Sequence, residues 1–177
     1  MRDVAEASPR SLSPRSAVPH QRHPLEGVPG YLDLPEPEPW ASEHIRDEAE
    51  RVGILQRLGE YRSRCVYSKV FILREAVLIK TGLMITQPDN PPELPPLRDC
   101  LAEVCALITA MAEDKIHQVL MRAVGLVEDV LNMVLNTGLK RAMAAPVLEP
   151  VLITFMSRLA DGNHRLRELA RLGVDCF

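Results

Sequence analysis

The chain has 177 residues, a formal net charge of −3 and a pI near 6.0, with 46% hydrophobic, 25% charged and only 4% aromatic residues. That length suits one domain, or one domain with a tail, and an apolar fraction built from Leu, Val, Ile, Ala and Met favours packed helices over sheets. A slightly acidic chain lacks the basic footprint of a duplex-DNA binder. No apolar run approaches the ~20 residues that span a bilayer, and the opening MRDVAEASPRS has no signal-peptide core. Neither nucleic acid nor membrane is expected as a partner, and the expected location is cytoplasmic.

Eight of the fifteen prolines precede residue 43 and five lie between 88 and 96. Residues 1–42 are rich in Pro, Ser, Arg and Glu with no apolar period, and ordering such a segment costs backbone entropy that little burial offsets. A disordered N-terminal tail over 1–42 is expected, with Ser8-Pro9 and Ser13-Pro14 either proline-directed phosphorylation sites or chance pairs.

Ser42 is suited to cap a helix that starts at Glu43, with Asp47, Glu48 and Glu50 favouring its N-terminal dipole. Val52, Leu55, Leu58 and Tyr61 recur at helical spacing, and the segment weakens around Arg62–Cys65. A second helix is predicted over about 70–85, then a proline-rich loop over 86–96. Helices follow over about 97–112 and 115–136, the latter apolar on nearly every side and so expected between neighbours. Thr137-Gly138 is a stop. Pro146 and Pro150 flank the start of a helix over about 147–159, and Ala160–Asn163 opens a last one over 164–172.

These helices fall into pairs with tight inner breaks that read SKVF, EDKIH and DGNHR. Each sets Ser, Asp or Asn beside a basic residue, at a spacing of about 46–48 residues, the period of HEAT-like helical repeats. The predicted fold is all-α: a HEAT-like helical-repeat solenoid over 43–177, each repeat buried only against its neighbours. About three repeats predict an apolar side left open on the last helix, and so self-association or low solubility.

Nothing in the pattern carries catalysis. No GxGxxG, P-loop or GxSxG occurs. His20, His23, His44, His117 and His164 form no ligand spacing for zinc. Cys65, Cys100, Cys105 and Cys176 show no CxxC, and a separation of five on a helix suits Cys100 and Cys105 poorly to a disulfide. Reduced thiols, no metal, no cofactor and no enzymatic activity are expected.

The stretch YSKVFILREAVLIKTG (Tyr67–Gly82) resembles the opening repeat of a TOG domain, with a basic-aromatic pair at the tip followed by Arg-Glu-x-x-Leu. ALITAMAEDKIHQVLMRAVGLVEDVL (Ala106–Leu131) and LEPVLITFMSRLADGNHRLRELA (Leu148–Ala170) are similar to the second and third repeats, the last through Leu-Ala-Asp-x-Asn-x-Arg-x-Arg. The likeness covers roughly 43–172 and is closest to the TOG domains of the 104-kDa centrosomal protein family of ciliary tips. It implies a partial TOG domain that binds αβ-tubulin through loops inside each repeat, at the centrosome, centriole or ciliary tip, with other centrosomal or ciliary proteins as further partners. Carried over by position, the tubulin-binding residues are Lys69 and Phe71 in the first loop, Lys115 and His117 in the second, and Asn163 and Arg165 in the third.

Two features depart from the family pattern. The first-loop aromatic is Phe71 rather than Trp, and the half of the domain that faces α-tubulin has no counterpart here. Other readings stand beside the resemblance. Phe71 either projects at the tip or packs between the first two helices. Lys69 and Lys115 are contacts or plain solvated lysines, Arg165 a contact or a partner of Asp161, and Asn163 a contact or a helix cap. A HEAT-type scaffold without tubulin affinity is the main alternative function. A secreted four-helix cytokine is a third, but it requires a signal peptide and disulfides.

Overall fold

An amphipathic helix must bury its apolar stripe against another element, and paired helices do so by stacking. The computed structural model describes residues 22–88 and 92–177. Among them are seven α-helices: α1 (Glu43–Arg51), α2 (Ile54–Val66), α3 (Phe71–Thr86), α4 (Leu97–Ala112), α5 (His117–Asn136), α6 (Arg141–Arg158) and α7 (His164–Asp175). They form pairs α2/α3, α4/α5 and α6/α7. Within the stack α2 packs on α4 and α4 on α6, while α3 packs on α5 and α5 on α7. The protein is therefore an all-α helical-repeat solenoid. Its core runs unbroken through the pairs, with Leu73, Val77, Ile108, Val119, Leu120, Val130 and Phe155 fully buried. No helix among the described residues is long and apolar enough to cross a membrane.

Four sequence expectations need correction. The helix predicted from Glu43 to about Tyr61 is interrupted twice, at Gly53 with φ +78°, which separates α1 from α2, and at Gly59 with φ +77°, a kink inside α2, both conformations that a glycine takes without penalty. The predicted weakening at 62–65 is absent, since Arg62, Ser63, Cys65 and Val66 are buried within α2. The penultimate helix begins at Arg141, six residues early, with Pro146 and Pro150 inside it. Both prolines are exposed and four apart, and Ala142 and Pro146, whose carbonyls lose an N–H partner, are themselves exposed.

The fourth correction concerns residues 22–42, read from composition as tail. Leu25 and Val28 are buried in the core, and Tyr31 and Leu34 pack against it. Three cations of the first pair hold this strap. The Arg62 Nε donates to the Pro24 carbonyl at 2.6 Å, the Lys80 Nζ to the Glu26 carbonyl at 2.9 Å, and Arg64 to the carbonyls of Pro37 and Glu38. Trp40 lies against Tyr67, ring centroids 6.0 Å apart, and its Nε1 donates to Glu60 at 2.5 Å. Distant residues thus supply the burial that the strap lacks on its own. The rest of the expected tail, 1–21, lies outside the described residues, as do Ser8 and Ser13.

Candidate functional site

Each inner corner is made by one short polar side chain. Ser68 Oγ accepts the Val70 N–H at 3.1 Å, Asp114 Oδ1 the Ile116 N–H at 2.8 Å, and Asp161 Oδ1 the Asn163 N–H at 2.8 Å. A side-chain oxygen that takes the N–H two residues on mimics a turn and starts a new direction. Ser68, Asp114 and Asp161 stand 46 and 47 residues apart, so the same local chemistry recurs once per repeat.

Two arginines tie the corners to one another. Arg74 donates from Nη1 to the Ser68 carbonyl at 2.6 Å and from Nε and Nη2 to the Asp114 carboxylate at 2.6 and 3.2 Å. Arg158 donates to the carbonyls of Glu113 and Asp114 at 2.7 and 3.1 Å, and its Nη2 lies 3.1 Å from Asp161 Oδ2. The planar, five-donor guanidinium suits this bridging, since one group satisfies backbone and carboxylate at once. The three corners therefore form one continuous row along an edge of the stack.

Exposed side chains stand on that row. Lys69 and Lys115 follow Ser68 and Asp114, are exposed, and have no carboxylate partner among the described residues. Phe71 and His117, the first residues of α3 and α5, are exposed, Phe71 by 36%. Leu73, two residues on, is fully buried, while Phe71 keeps part of its ring in solvent. The row thus offers cations, apolar ring surface and hydrogen-bonding groups to a macromolecular partner.

The third corner differs in register. Asn163 is exposed and caps α7, its Oδ1 accepting the Arg165 N–H at 3.0 Å. Aligned on the turn-forming oxygens, Lys69 and Lys115 correspond to Gly162, and Phe71 and His117 to His164. Arg165 is exposed but sits one residue further into the helix. Arg167, not Arg165, is the α7 arginine that binds this corner, donating to the carbonyls of Asp161 and Gly162 at 2.7 and 3.2 Å. Alignment on Ser68, Asp114 and Asp161 puts His164, the first residue of α7, in the place that Phe71 and His117 hold in the earlier repeats.

Beside the first corner lies a cleft of about 140 Å³ between the strap and α2, lined by Trp40, Arg64, Tyr67 and Lys69 among others. Burial pushes the Tyr67 phenol above its ordinary range, so it stays neutral at physiological pH. No group of three or more His, Cys, Asp or Glu among the described residues is arranged to hold a metal ion.

No family model matches the sequence, and no curated protein matches it. Among solved structures, the TOG domain of human Cep104 is similar, with a TM-score of 0.68 and 23% identity over 80% of this chain and 54% of that one. At this identity the likeness shows the fold alone, and it agrees with a TOG-like arrangement of helical repeats. The chain spans about half the length of that solved domain.

Proposed function

We propose that the row of inner corners binds the αβ-tubulin heterodimer, as the TOG-like fold and the resemblance of the three corner stretches suggest. One observation carries this reading: the Ser68–Arg74–Asp114–Arg158–Asp161 ladder joins the corners into one edge bearing Lys69, Phe71, Lys115, His117, Asn163 and Arg165. The role is binding rather than catalysis, and the same resemblance supports a cytoskeletal place at the centrosome or ciliary tip.

The energetics divide the work between these side chains. Single exposed ion pairs contribute about 0–1 kcal/mol and are screened by salt, so the cations mainly steer an acidic partner into place. An aromatic desolvated at the centre of an interface contributes about 2 kcal/mol or more. Phe71 is therefore the anchor, and Lys69 beside it sets the field.

Gel filtration with unpolymerised tubulin tests this. The expected result is a complex at micromolar concentration that a Lys69→Glu, Phe71→Ala double variant weakens about tenfold or more, with helical circular dichroism unchanged. No complex at tens of micromolar tubulin would overturn it in favour of a scaffold for another protein. Unfolding of the double variant would return Phe71 to the core.

A further inference from the structure

The strap brings an aromatic to the row of corners from outside the repeats. Trp40, the only tryptophan of the chain, stands near the strap's end, three residues before α1. Its ring is held on two sides: Nε1 donates to Glu60 at 2.5 Å, and Tyr67 lies against it with centroids 6.0 Å apart. Tyr67 immediately precedes Ser68, the residue that turns the first corner. Both rings, with Ile45, wall the cleft of about 140 Å³ beside that corner. A helix is 10–12 Å across, so a cleft of this size takes one side chain. Two cations line it as well. Lys69 is exposed and has no carboxylate partner among the described residues. Arg64 donates from Nε and Nη2 to the carbonyls of Glu38 and Pro37, which carry no charge, and its Nη1 has no partner among the described residues. Glu38 also lines the cleft, but its carboxylate forms no ion pair with either cation.

We infer that this cleft is a further part of the binding edge and seats one carboxylate side chain of the partner, its head on Lys69 and Arg64 and its stem between Trp40 and Tyr67. The partner's identity rests on the tubulin reading above; the chemistry of the cleft does not. Cations without a counter-charge form charge-assisted hydrogen bonds with an arriving carboxylate, and aromatic walls that exclude water strengthen them. Rings already fixed before binding lose little freedom on contact. The strap then has a role in recognition as well as in folding, since Arg62, Lys80 and Arg64 hold the segment that ends in Trp40. The edge accordingly begins one site before Lys69 and Phe71.

Because Trp40 is the sole tryptophan, its fluorescence reads the cleft directly. The full chain is titrated with a glutamate-rich peptide free of aromatic residues, and with its glutamine counterpart at equal ionic strength. The glutamate peptide is expected to shift the emission and protect Trp40 from acrylamide quenching, and the glutamine peptide to do neither. Lys69→Glu should abolish the effect, whereas Lys140→Glu, the same charge change at the exposed N-cap of α6, should leave it intact. Ala41→Glu, at an exposed position of the cleft wall, places a carboxylate of the chain's own in the site and should also abolish it, with thermal unfolding unchanged. Against tubulin, Ala41→Glu is expected to weaken the complex about fivefold. An emission indifferent to the glutamate peptide, an equal response to glutamine, or an effect that survives Lys69→Glu would overturn the inference. So would a tubulin complex unaffected by Ala41→Glu, which leaves the tubulin reading standing. If the chain forms no complex with tubulin, that reading falls, and the peptide titration alone decides the cleft.

Discussion

Arg74 on α3 grips Asp114, forty residues away, through two hydrogen bonds of 2.6 and 3.2 Å, while Asp114 also folds its own corner by accepting the Ile116 N–H. One carboxylate thus closes a local turn and fixes its distance from the preceding repeat. Both side chains are nearly buried, at 14% and 9% exposed, so their desolvation is repaid only while they remain paired.

Removing one partner should therefore cost more than removing both. Arg74→Ala is expected to lower stability by about 3 kcal/mol, and a double-mutant cycle with Asp114→Ala to show coupling above ~1 kcal/mol. Arg74→Lys should recover little of it, because an ammonium cannot span the Ser68 carbonyl and the carboxylate together. Urea unfolding reads these values, and additive losses would dissolve the ladder.

Glu93 gives the fold an acid-sensitive clasp. It accepts from the buried Lys80 at 2.7 Å and also pairs with Arg62, the two cations that hold the strap. Burial by itself would raise its pKa, but the hydrogen bonds from Lys80 and Arg62 outweigh it and hold the carboxyl below the ordinary glutamate value. A depressed pKa stabilises the fold above the unfolded-state value and ceases to do so as pH falls through the lowered one. Glu93→Gln should cost about 1–2 kcal/mol at neutral pH, since it leaves buried cations without a counter-charge. That deficit should shrink as the pH drops below the usual glutamate range. A deficit that stays constant into strong acid would count against the clasp.

Gly173 has no room for a side chain. A Cβ there would lie 2.5 Å from Cδ1 of Phe155, a fully buried ring. Gly173→Ala should destabilise by about 1–3 kcal/mol through overpacking, despite the better helix propensity of alanine. A relieving Phe155→Leu change should recover part of the loss in thermal melts; no recovery would refute the clash.

The thiols should separate by burial. Cys65, Cys100 and Cys105 are buried and unpaired, and burial pushes their pKa values up to about 12, 11 and 12. Cys176 is half-buried near the end of the chain. Thiolate is the reactive form, so a thiol reagent at neutral pH should modify Cys176 first and the other three only on unfolding. Fast reaction of two or more thiols in the native state would contradict that burial.

Hydrophobic periodicity and turn chemistry are local properties, and they set six helical segments, of which the structure divides the first at Gly53. Leu101, Val104, Ile108 and Met111 announce α4 by spacing, and Ser68, Asp114 and Asp161 announce the corners by hydrogen-bonding type. Interactions between distant residues are not written in any window of sequence. The strap looks unfoldable until Arg62, Arg64 and Lys80 arrive from elsewhere to satisfy its carbonyls. Pro146 and Pro150 look like a helix boundary until the fold places them on a wet face. Arg167 looks like one more surface arginine until the last corner takes it as a brace. The chain by itself determined most of the helical segments and the three inner corners, because those depend on neighbours within one or two turns. Only the tertiary structure decided which charges are spent inside the stack and which are left on its edge, because that depends on what the next repeat brings within hydrogen-bonding reach.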